Sequence, residues 1–130
     1  MNRDANGFVV LSREACLERL AVHRVAAIAI TEHALPVVLP ALYMLRGTDV
    51  LVGASRAGIL GRRLPNSVVS LCVHDLAPDL SSGWTVSVTG WAELVAEALE
   101  FRRWATDDLT QVVVRIGTEQ ITGREILGAA

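Results

Sequence analysis

The chain has 130 residues, which is enough for one domain with one core. Hydrophobic residues make up 52% and charged residues 20%, so the apolar share lies slightly above the average of about 45–50% and predicts a surface buried against a partner. The net charge of −2 without a basic stripe argues against binding to duplex nucleic acid. No run reaches the roughly 20 apolar residues that a membrane-spanning helix needs.

The first predicted elements are an amphipathic helix and an apolar hairpin. Ser12 is a good N-cap, and apolar residues recur along one side of the segment Ser12–Ala21, which predicts a helix there. Val25–Thr31 and Leu35–Leu45 are rich in apolar and β-branched residues and predict two strands, joined by a turn at Glu32-His33-Ala34.

The strand at Leu35–Leu45 is apolar on both faces, which predicts burial on both faces. In a closed barrel one face fills the interior, so the other must meet a helix or another protomer. Pro36 and Pro40 lack an N–H group, and we expect them at a sheet edge or a bulge.

The second half of the chain alternates strands with short helices and a loop. Trp84–Val95 alternates cleanly between apolar and polar residues, which predicts a long half-buried strand. The segment Thr118–Ile126 shows no clear pattern. The other predicted elements are strands at Val50–Ala54, Ser67–Val73 and Gln111–Ile116, helices at Ile59–Leu64 and Ala96–Trp104, and a polar loop at Ala77–Gly83.

This order of elements predicts a mainly β fold. Consecutive strands joined by short turns favour an antiparallel meander, and six strands without a βαβ rhythm favour a barrel over a doubly wound sheet. We therefore expect a single domain over residues 1–130, a six-stranded antiparallel β-barrel with short helices.

Most sequence signatures of cofactor and metal sites are absent. No GxGxxG or GxxxxGK[ST] motif occurs. His23, His33 and His74 are scattered and lack the spacing of zinc ligands, so no metal site is predicted.

Cys16 and Cys72 lie far apart and neither belongs to a CxxC motif, and the polar start of the chain is no export signal. We therefore expect two reduced, buried thiols in a cytoplasmic protein. Cys72 and His74 share one face of a strand, which allows a Cys–His nucleophile pair. The simpler interpretation is a packed thiol beside a histidine at the rim.

One segment has the composition of a phosphate site. Ser55-Arg56-Ala57-Gly58 follows a strand and precedes a short helix that carries Arg62 and Arg63, and backbone N–H groups with arginines can bind phosphate there. The alternative is an ordinary turn with solvated arginines. Trp84, Trp91 and Trp104 can stack on a flat ligand, although packing in a core or an interface is the simpler explanation for each of them.

The chain resembles the pyridoxamine 5′-phosphate oxidase-like family of FMN-binding split barrels over nearly its whole length. The blocks Gly83–Ala92 and Ile121–Arg124 carry the strongest likeness. The matching segments are LSREACLERL, ALPVVLPALYML, SRAGILGRRL, DLAPDLSSGWTVSVTGWAELV, RRWA and VVVRIGTEQITGRE, in that order.

The resemblance implies a six-stranded split barrel that works as a homodimer, with two flavin sites at the dimer interface. It places Leu39, Pro40, Ala41 and Leu42 along the flavin ring. It assigns the ribityl phosphate to the turn Ser55, Arg56, Ala57 and Gly58 and to Arg62 and Arg63. It further implies that Trp84, or Trp104 of the neighbouring protomer, covers the ring.

The chain departs from the family pattern at two places. A phosphate-binding lysine is expected two residues after the turn glycine, where this chain has Leu60, and an aromatic-acidic strand pattern is replaced by Leu71-Cys72-Val73-His74. Three functions therefore stay open. The first is an FMN-dependent oxidoreductase that passes electrons between a reduced nicotinamide and a small molecule. The second is an F420-binding reductase whose basic groove uses Arg56, Arg62, Arg63, Arg102 and Arg103. The third is a non-enzymatic dimer that has lost the flavin.

Overall fold

The computed structural model describes residues 2–95 and 111–127. Within these residues the elements are β1 Val9–Val10, α1 Arg13–Ala21, β2 Val25–Glu32, β3 Leu35–Arg46, β4 Asp49–Ser55, α2 Ile59–Arg63, β5 Ser67–Leu76, β6 Gly83–Leu94, β7 Gln111–Gly117 and β8 Gln120–Ile126. The predicted strands and the first two predicted helices are confirmed with small shifts at their ends. The helix predicted at Ala96–Trp104 lies outside the described residues.

Six antiparallel strands close into a barrel in the order β5, β2, β3, β4, β7 and β6, with β6 returning to β5. The long strand β6 changes its partner along its length. Its first part pairs with β8, and its last part, Ala92–Leu94, pairs with β7. The six-stranded barrel is thus confirmed. The structure adds two strands outside the ring, β8 on β6 and β1 on β8.

The path of the chain differs from a simple meander. Strands β2, β3 and β4 follow one another as hairpins, and β5 and β6 form another hairpin. Between these units α2 carries the chain across the barrel, so that β5 pairs with β2 instead of β4. This arrangement allows the barrel to close, because the free edge of β4 pairs with β7.

The barrel interior is filled by apolar side chains from all six strands. Tyr43 of β3 lies fully buried among them, and its hydroxyl donates to the carbonyl of Leu20 in α1 over 2.6 Å. Burial raises the pKa of Tyr43 to about 12. This hydrogen bond satisfies the hydroxyl group of Tyr43 within an apolar core and links the barrel to α1.

Helix α1 packs against β8 through a close contact. Ser12 caps the helix by accepting the N–H of Ala15, as predicted, and the helix buries Cys16 and Leu20. A Cβ atom at Gly123 of β8 would lie 2.5 Å from the sulfur of Cys16. Glycine at this position therefore allows the helix to approach the sheet.

No helix among the described residues is long and apolar enough to cross a membrane.

The two prolines of β3 lie at an open sheet edge, as expected. The N–H of Tyr43 donates to the carbonyl of Arg24, so the odd-numbered residues of β3 bond to β2 and the even-numbered ones point toward β4. Pairing with β4 covers only Leu42–Arg46. The nitrogens of Pro36 and Pro40 therefore face an edge to which no strand of the described residues pairs, and they leave no ladder bond unmade there.

The outer face of the barrel is covered in one place and exposed in another. On β4 and β7, Leu51 and Val113 are buried and pack with Met44 and Val95. On β2 and β3, Val25, Val38 and Leu42 are exposed. On the interior face of β3, Ala41 and Tyr43 are buried and other apolar residues are partly buried. Much of the outer face is open among the described residues, so the predicted burial of both faces is not met within one copy of the chain.

Candidate functional site

A cleft opens where the ladder between β3 and β4 ends, beyond the pair Leu42 and Gly53. It has a volume of about 430 Å³. Its walls come from β3, β4, the start of α2 and the start of β7. The lining residues are Leu39, Pro40, Ala41, Leu42, Gly53, Ala54, Ser55, Gly58, Ile59, Leu60 and Gln111. The four β3 residues assigned to the flavin ring and two members of the predicted phosphate turn thus border one cleft.

The turn between β4 and α2 is held by close backbone contacts. The N–H of Gly58 donates to the carbonyl of Ser55 over 3.1 Å. A Cβ atom at Gly61 would lie 1.9 Å from the same Ser55 oxygen. Only glycine permits α2 to pack so tightly on this turn, and the packing fixes the polar end of the cleft.

The three arginines near this turn have different surroundings. Arg62 donates to the carbonyl of Ala57 over 3.1 Å, which braces the turn from outside. Arg63 forms an ion pair with Glu32 of β2, and its hydrogen bond is the main cause that lowers the pKa of Glu32. Arg56 is exposed and has no side-chain partner within residues 2–95 and 111–127. None of the three, nor Ala57, lines the cleft itself.

Leu60 gives the cleft an apolar wall where the family resemblance leads one to expect a lysine. Its side chain is partly buried and packs with Ile59 against the main core. The cleft therefore lacks a cation at this point, and Arg56 is adjacent in sequence to Ser55, which lines the cleft.

Gln111 lines the cleft although sequence reasoning gave it no role beyond starting a strand. It lies opposite Ser55 in the ladder between β4 and β7. Its side-chain oxygen Oε1 is buried and has no hydrogen-bond partner among the described residues. Nothing local in the sequence marks this residue, because its position depends on a pairing between distant strands.

A second cleft of about 460 Å³ adjoins the first and shares Leu39 and Pro40 with it. It lies on the outer side of β5, β2 and β3, and both Cys72 and His74 line it. The predicted sharing of one strand face by these two residues is thus confirmed. The sequence predicts that both cysteines are buried. Cys16 is buried, but Cys72 is only half-buried, and both thiols are free.

Trp84 is not among the residues that line either cleft. Its ring lies edge-on to His23 at a centroid distance of 5.1 Å, and the guanidinium of Arg19 lies 5.7 Å from the ring centroid. Within its own protomer Trp84 thus packs beside α1. Trp104, Arg102 and Arg103 lie outside the described residues.

The first cleft carries no acidic, basic or thiol side chain among its described lining residues. Ser55 and Gln111 supply its only polar side chains there. Across residues 2–95 and 111–127, no group of three or more His, Cys, Asp or Glu side chains is placed to hold a metal ion. Among its described lining residues the cleft therefore offers apolar contact and a few neutral polar groups, and no side chain there is an acid or a base.

The fold defines a split β-barrel with a cleft at the end of the β3–β4 ladder. The family model described as pyridoxamine 5′-phosphate oxidase matches residues 12–125, and the chain belongs to this family. No curated protein matches the chain significantly.

Solved structures with the same fold include three described as binding a cofactor. An FAD-binding protein from Mycobacterium smegmatis has a TM-score of 0.74 and 23% identity, covering 91% of this chain and 97% of that chain. An FAD-binding protein from Mesorhizobium loti has a TM-score of 0.68 and 20% identity, with coverage of 91% and 97%. An FAD- and heme-binding protein from M. smegmatis has a TM-score of 0.75 and 15% identity, with coverage of 92% and 72%. At these identities the similarity establishes the fold.

Proposed function

We propose that this chain binds a flavin nucleotide, FMN, in the cleft between β3, β4 and α2, and acts as a flavin-dependent oxidoreductase on a small molecule. One observation carries the proposal: all four residues that the family resemblance assigns to the flavin ring border one cleft together with Ser55 and Gly58, two of the six assigned to the phosphate. Its volume of about 430 Å³ lies within the range of about 300–1,000 Å³ typical of small-molecule sites. The FAD-binding proteins of the same fold support a flavin.

The apolar wall of the cleft suits an aromatic ring. Leu39, Leu42 and Leu60 offer aliphatic contact, and Gly53 and Ala54 leave room because their side chains are small. Burying a ring against such residues releases water from apolar surface, at roughly 25 cal/mol per Å². We therefore assign the ring to the β3 side and the polar tail to the Ser55–Gly58 turn.

Arg56 is the proposed phosphate ligand. Arg63 is engaged with Glu32 and Arg62 braces the turn, so Arg56 is the arginine of this segment without a side-chain partner in the described part of the chain. A charge-assisted hydrogen bond to phosphate contributes about 1.5–3 kcal/mol. This contribution would offset the absence of a lysine at Leu60.

The bound flavin supplies the redox chemistry, while the protein supplies binding, orientation and surroundings. The apolar lining residues would keep water from the ring, and the Ser55–Gly58 turn would hold the tail. No acid or base is found among them, which fits a reaction that needs no proton transfer by the protein at the ring.

We also propose that two copies of the chain associate through the outer face of β2 and β3. Val38 is 65% exposed there, and Val25 and Leu42 are exposed beside it. This apolar face adjoins the cleft through Pro40, which borders both clefts. A second copy seated on it would cover the apolar surface and deepen the cleft.

An absorption spectrum of the purified protein, followed by fluorescence titration with FMN, FAD and F420, tests the cofactor. We expect a yellow protein, or a colourless one that binds FMN more tightly than F420. Preferential binding of F420 would overturn the FMN assignment in favour of the deazaflavin.

Failure to bind any of the three would overturn the proposed function. If Leu60→Lys then restored FMN binding, the chain would be a barrel that has lost its flavin and serves as a non-enzymatic dimer.

The phosphate contact is tested with Arg56→Ala. We expect this variant to bind FMN about ten- to a hundredfold more weakly, the equivalent of one charged hydrogen bond. Riboflavin, which lacks the phosphate, should bind the variant and the wild type equally. Arg3→Ala is the control, because Arg3 bonds to Gly7 in the N-terminal turn and its loss removes the same charge. An equal loss for riboflavin would refute the phosphate contact.

A further inference from the structure

Gln111 places an unpaired acceptor at the wall of the cleft. Its side chain lines the cleft, yet its Oε1 is buried without a donor among the described residues. Buried polar atoms are nearly always hydrogen-bonded, because a buried group without a hydrogen bond loses its contact with water and gains nothing in return. The free-energy cost of this unpaired oxygen beside a cleft is explained if a bound ligand provides the missing donor.

The side chain can bring this oxygen to a ligand by a change of rotamer. Rotation about the last torsion alone would exchange Oε1 with Nε2 and bury the amide N–H groups instead, so the whole amide group has to swing toward the cleft. Rotation about the preceding side-chain torsions achieves this without any change of the backbone. Binding would then relieve an unmade hydrogen bond, and the gain is realised only in the complex.

The location of Gln111 selects the part of the ligand that it meets. Gln111 lies opposite Ser55 in the β4–β7 ladder, at the polar end of the cleft. The apolar β3 residues lie at the other wall. In a flavin nucleotide the ring and the phosphate are joined by the ribityl chain, whose hydroxyl groups are neutral hydrogen-bond donors.

We infer that Gln111 recognises the ribityl chain, with Oε1 accepting a hydrogen bond from one of its hydroxyl groups. The inference rests on the proposed flavin site and adds a specificity-determining residue to it. It makes the polyol chain, as well as the ring and the phosphate, a recognised part of the ligand.

Three flavins separate the possible contacts of Gln111. Lumiflavin has the ring alone, riboflavin adds the ribityl chain, and FMN adds the phosphate. For Gln111→Met, which keeps the length of the side chain but removes the acceptor, we expect riboflavin and FMN to bind about tenfold more weakly in a fluorescence titration. Lumiflavin should bind the variant and the wild type within about twofold of each other.

Two further variants keep the test specific. Gln111→Glu retains the acceptor, so riboflavin binding should be preserved while FMN is weakened by repulsion between two negative charges. Gln120→Met is the control for the substitution itself, because Gln120 is an exposed residue on β8. The melting temperature of ligand-free Gln111→Met should equal or exceed that of the wild type, since removing an unpaired acceptor removes a cost.

The outcomes separate the inference from the proposed function. If the wild type binds none of the three flavins, the proposed function fails. If the wild type binds riboflavin and Gln111→Met binds it equally well, the role of Gln111 is refuted. An equal loss for all three flavins refutes it too, because the contact would then be to the ring.

Discussion

The outer faces of two parts of the barrel have similar sequences and opposite surroundings. On β4 and β7, Leu51 and Val113 are buried by side chains of the same chain. On β2 and β3, Val25, Val38 and Leu42 are just as apolar and remain exposed. An apolar outer face therefore predicts that other residues cover it. The sequence pattern does not show whether those residues belong to the same chain or to another.

The largest expected effect is on the covered face. Leu51→Ala removes a fully buried side chain (0% exposed) and should lower the free energy of unfolding by about 2–4 kcal/mol. Leu42→Ala is the matched control on the exposed face and should cost about 1 kcal/mol or less in the monomer. Urea denaturation at a dilution where ultracentrifugation shows monomers measures both. Equal costs would mean that the two faces do not differ as described.

A charge on the exposed face should break the association of two copies. Val38→Lys places an ammonium group in the proposed interface, where a buried unpaired charge costs several kcal/mol, so we expect self-association to weaken by roughly a hundredfold. Val68→Lys on β5 is the control, because both valines are 65% exposed. Sedimentation equilibrium measures the dissociation constants. A dimer that survives Val38→Lys and dissociates with Val68→Lys would move the interface to β5.

The inner face of β3 should matter whatever covers its outer face. Tyr43→Phe removes the hydroxyl that bonds to the carbonyl of Leu20 and should lower stability by about 1–2 kcal/mol. The pKa of Tyr43 is raised to about 12 from an ordinary value of about 10. The unfolded chain therefore loses the tyrosine proton first, and stability falls as the pH rises from about 10 to about 12.

This pH effect can be isolated by comparison with Tyr43→Phe, because Tyr43 is the chain's one tyrosine and the other titrating groups are common to both proteins. We expect the difference in unfolding free energy between wild type and Tyr43→Phe to be constant below pH 9 and to shrink above about pH 10. A difference that stays constant up to pH 12 would contradict the burial of the phenol.

The smallest expected effect lies at the tip of the exposed hairpin. His33 and Ala34 join β2 to β3 with positive φ angles of 49° and 64°, a turn that favours glycine. Ala34→Gly should raise stability by about 0.5–1 kcal/mol, because the alanine is strained there. Ala29→Gly, within β2, should lower stability by a similar amount. Thermal denaturation of both variants checks the sign. A loss of stability in Ala34→Gly would show that this turn is unstrained.

Much of the fold could be predicted because it depends on local patterns. Alternation identified Trp84–Val95 as a strand, and the capping serine identified the start of α1. The strand β8 escaped prediction because its sequence, QITGREI, mixes polar and apolar residues and gains its order from pairing with β6. Strand β1 has only two residues and depends on β8 in turn.

In the candidate site, too, the residues that lie in continuous segments could be predicted and those brought in by distant strand pairing could not. The segments Leu39–Leu42 and Ser55–Gly58 could be assigned from the family resemblance, since each is continuous in sequence. Gln111 could not, because only the β4–β7 ladder brings it opposite Ser55. The assignment of Trp84 to the ring stays a prediction that a second protomer would have to satisfy.

The proline at position 40 has a consequence for the energetics of binding. If the β3–β4 ladder continued past Leu42 and Gly53, the next hydrogen bond would need an N–H at position 40 opposite Ser55. Proline has none, and the Ser55 carbonyl is already engaged by Gly58. The two strands therefore part whether or not a ligand is present. Such a preorganised opening spares an incoming molecule the cost of separating strands, so more of its contact energy appears as affinity.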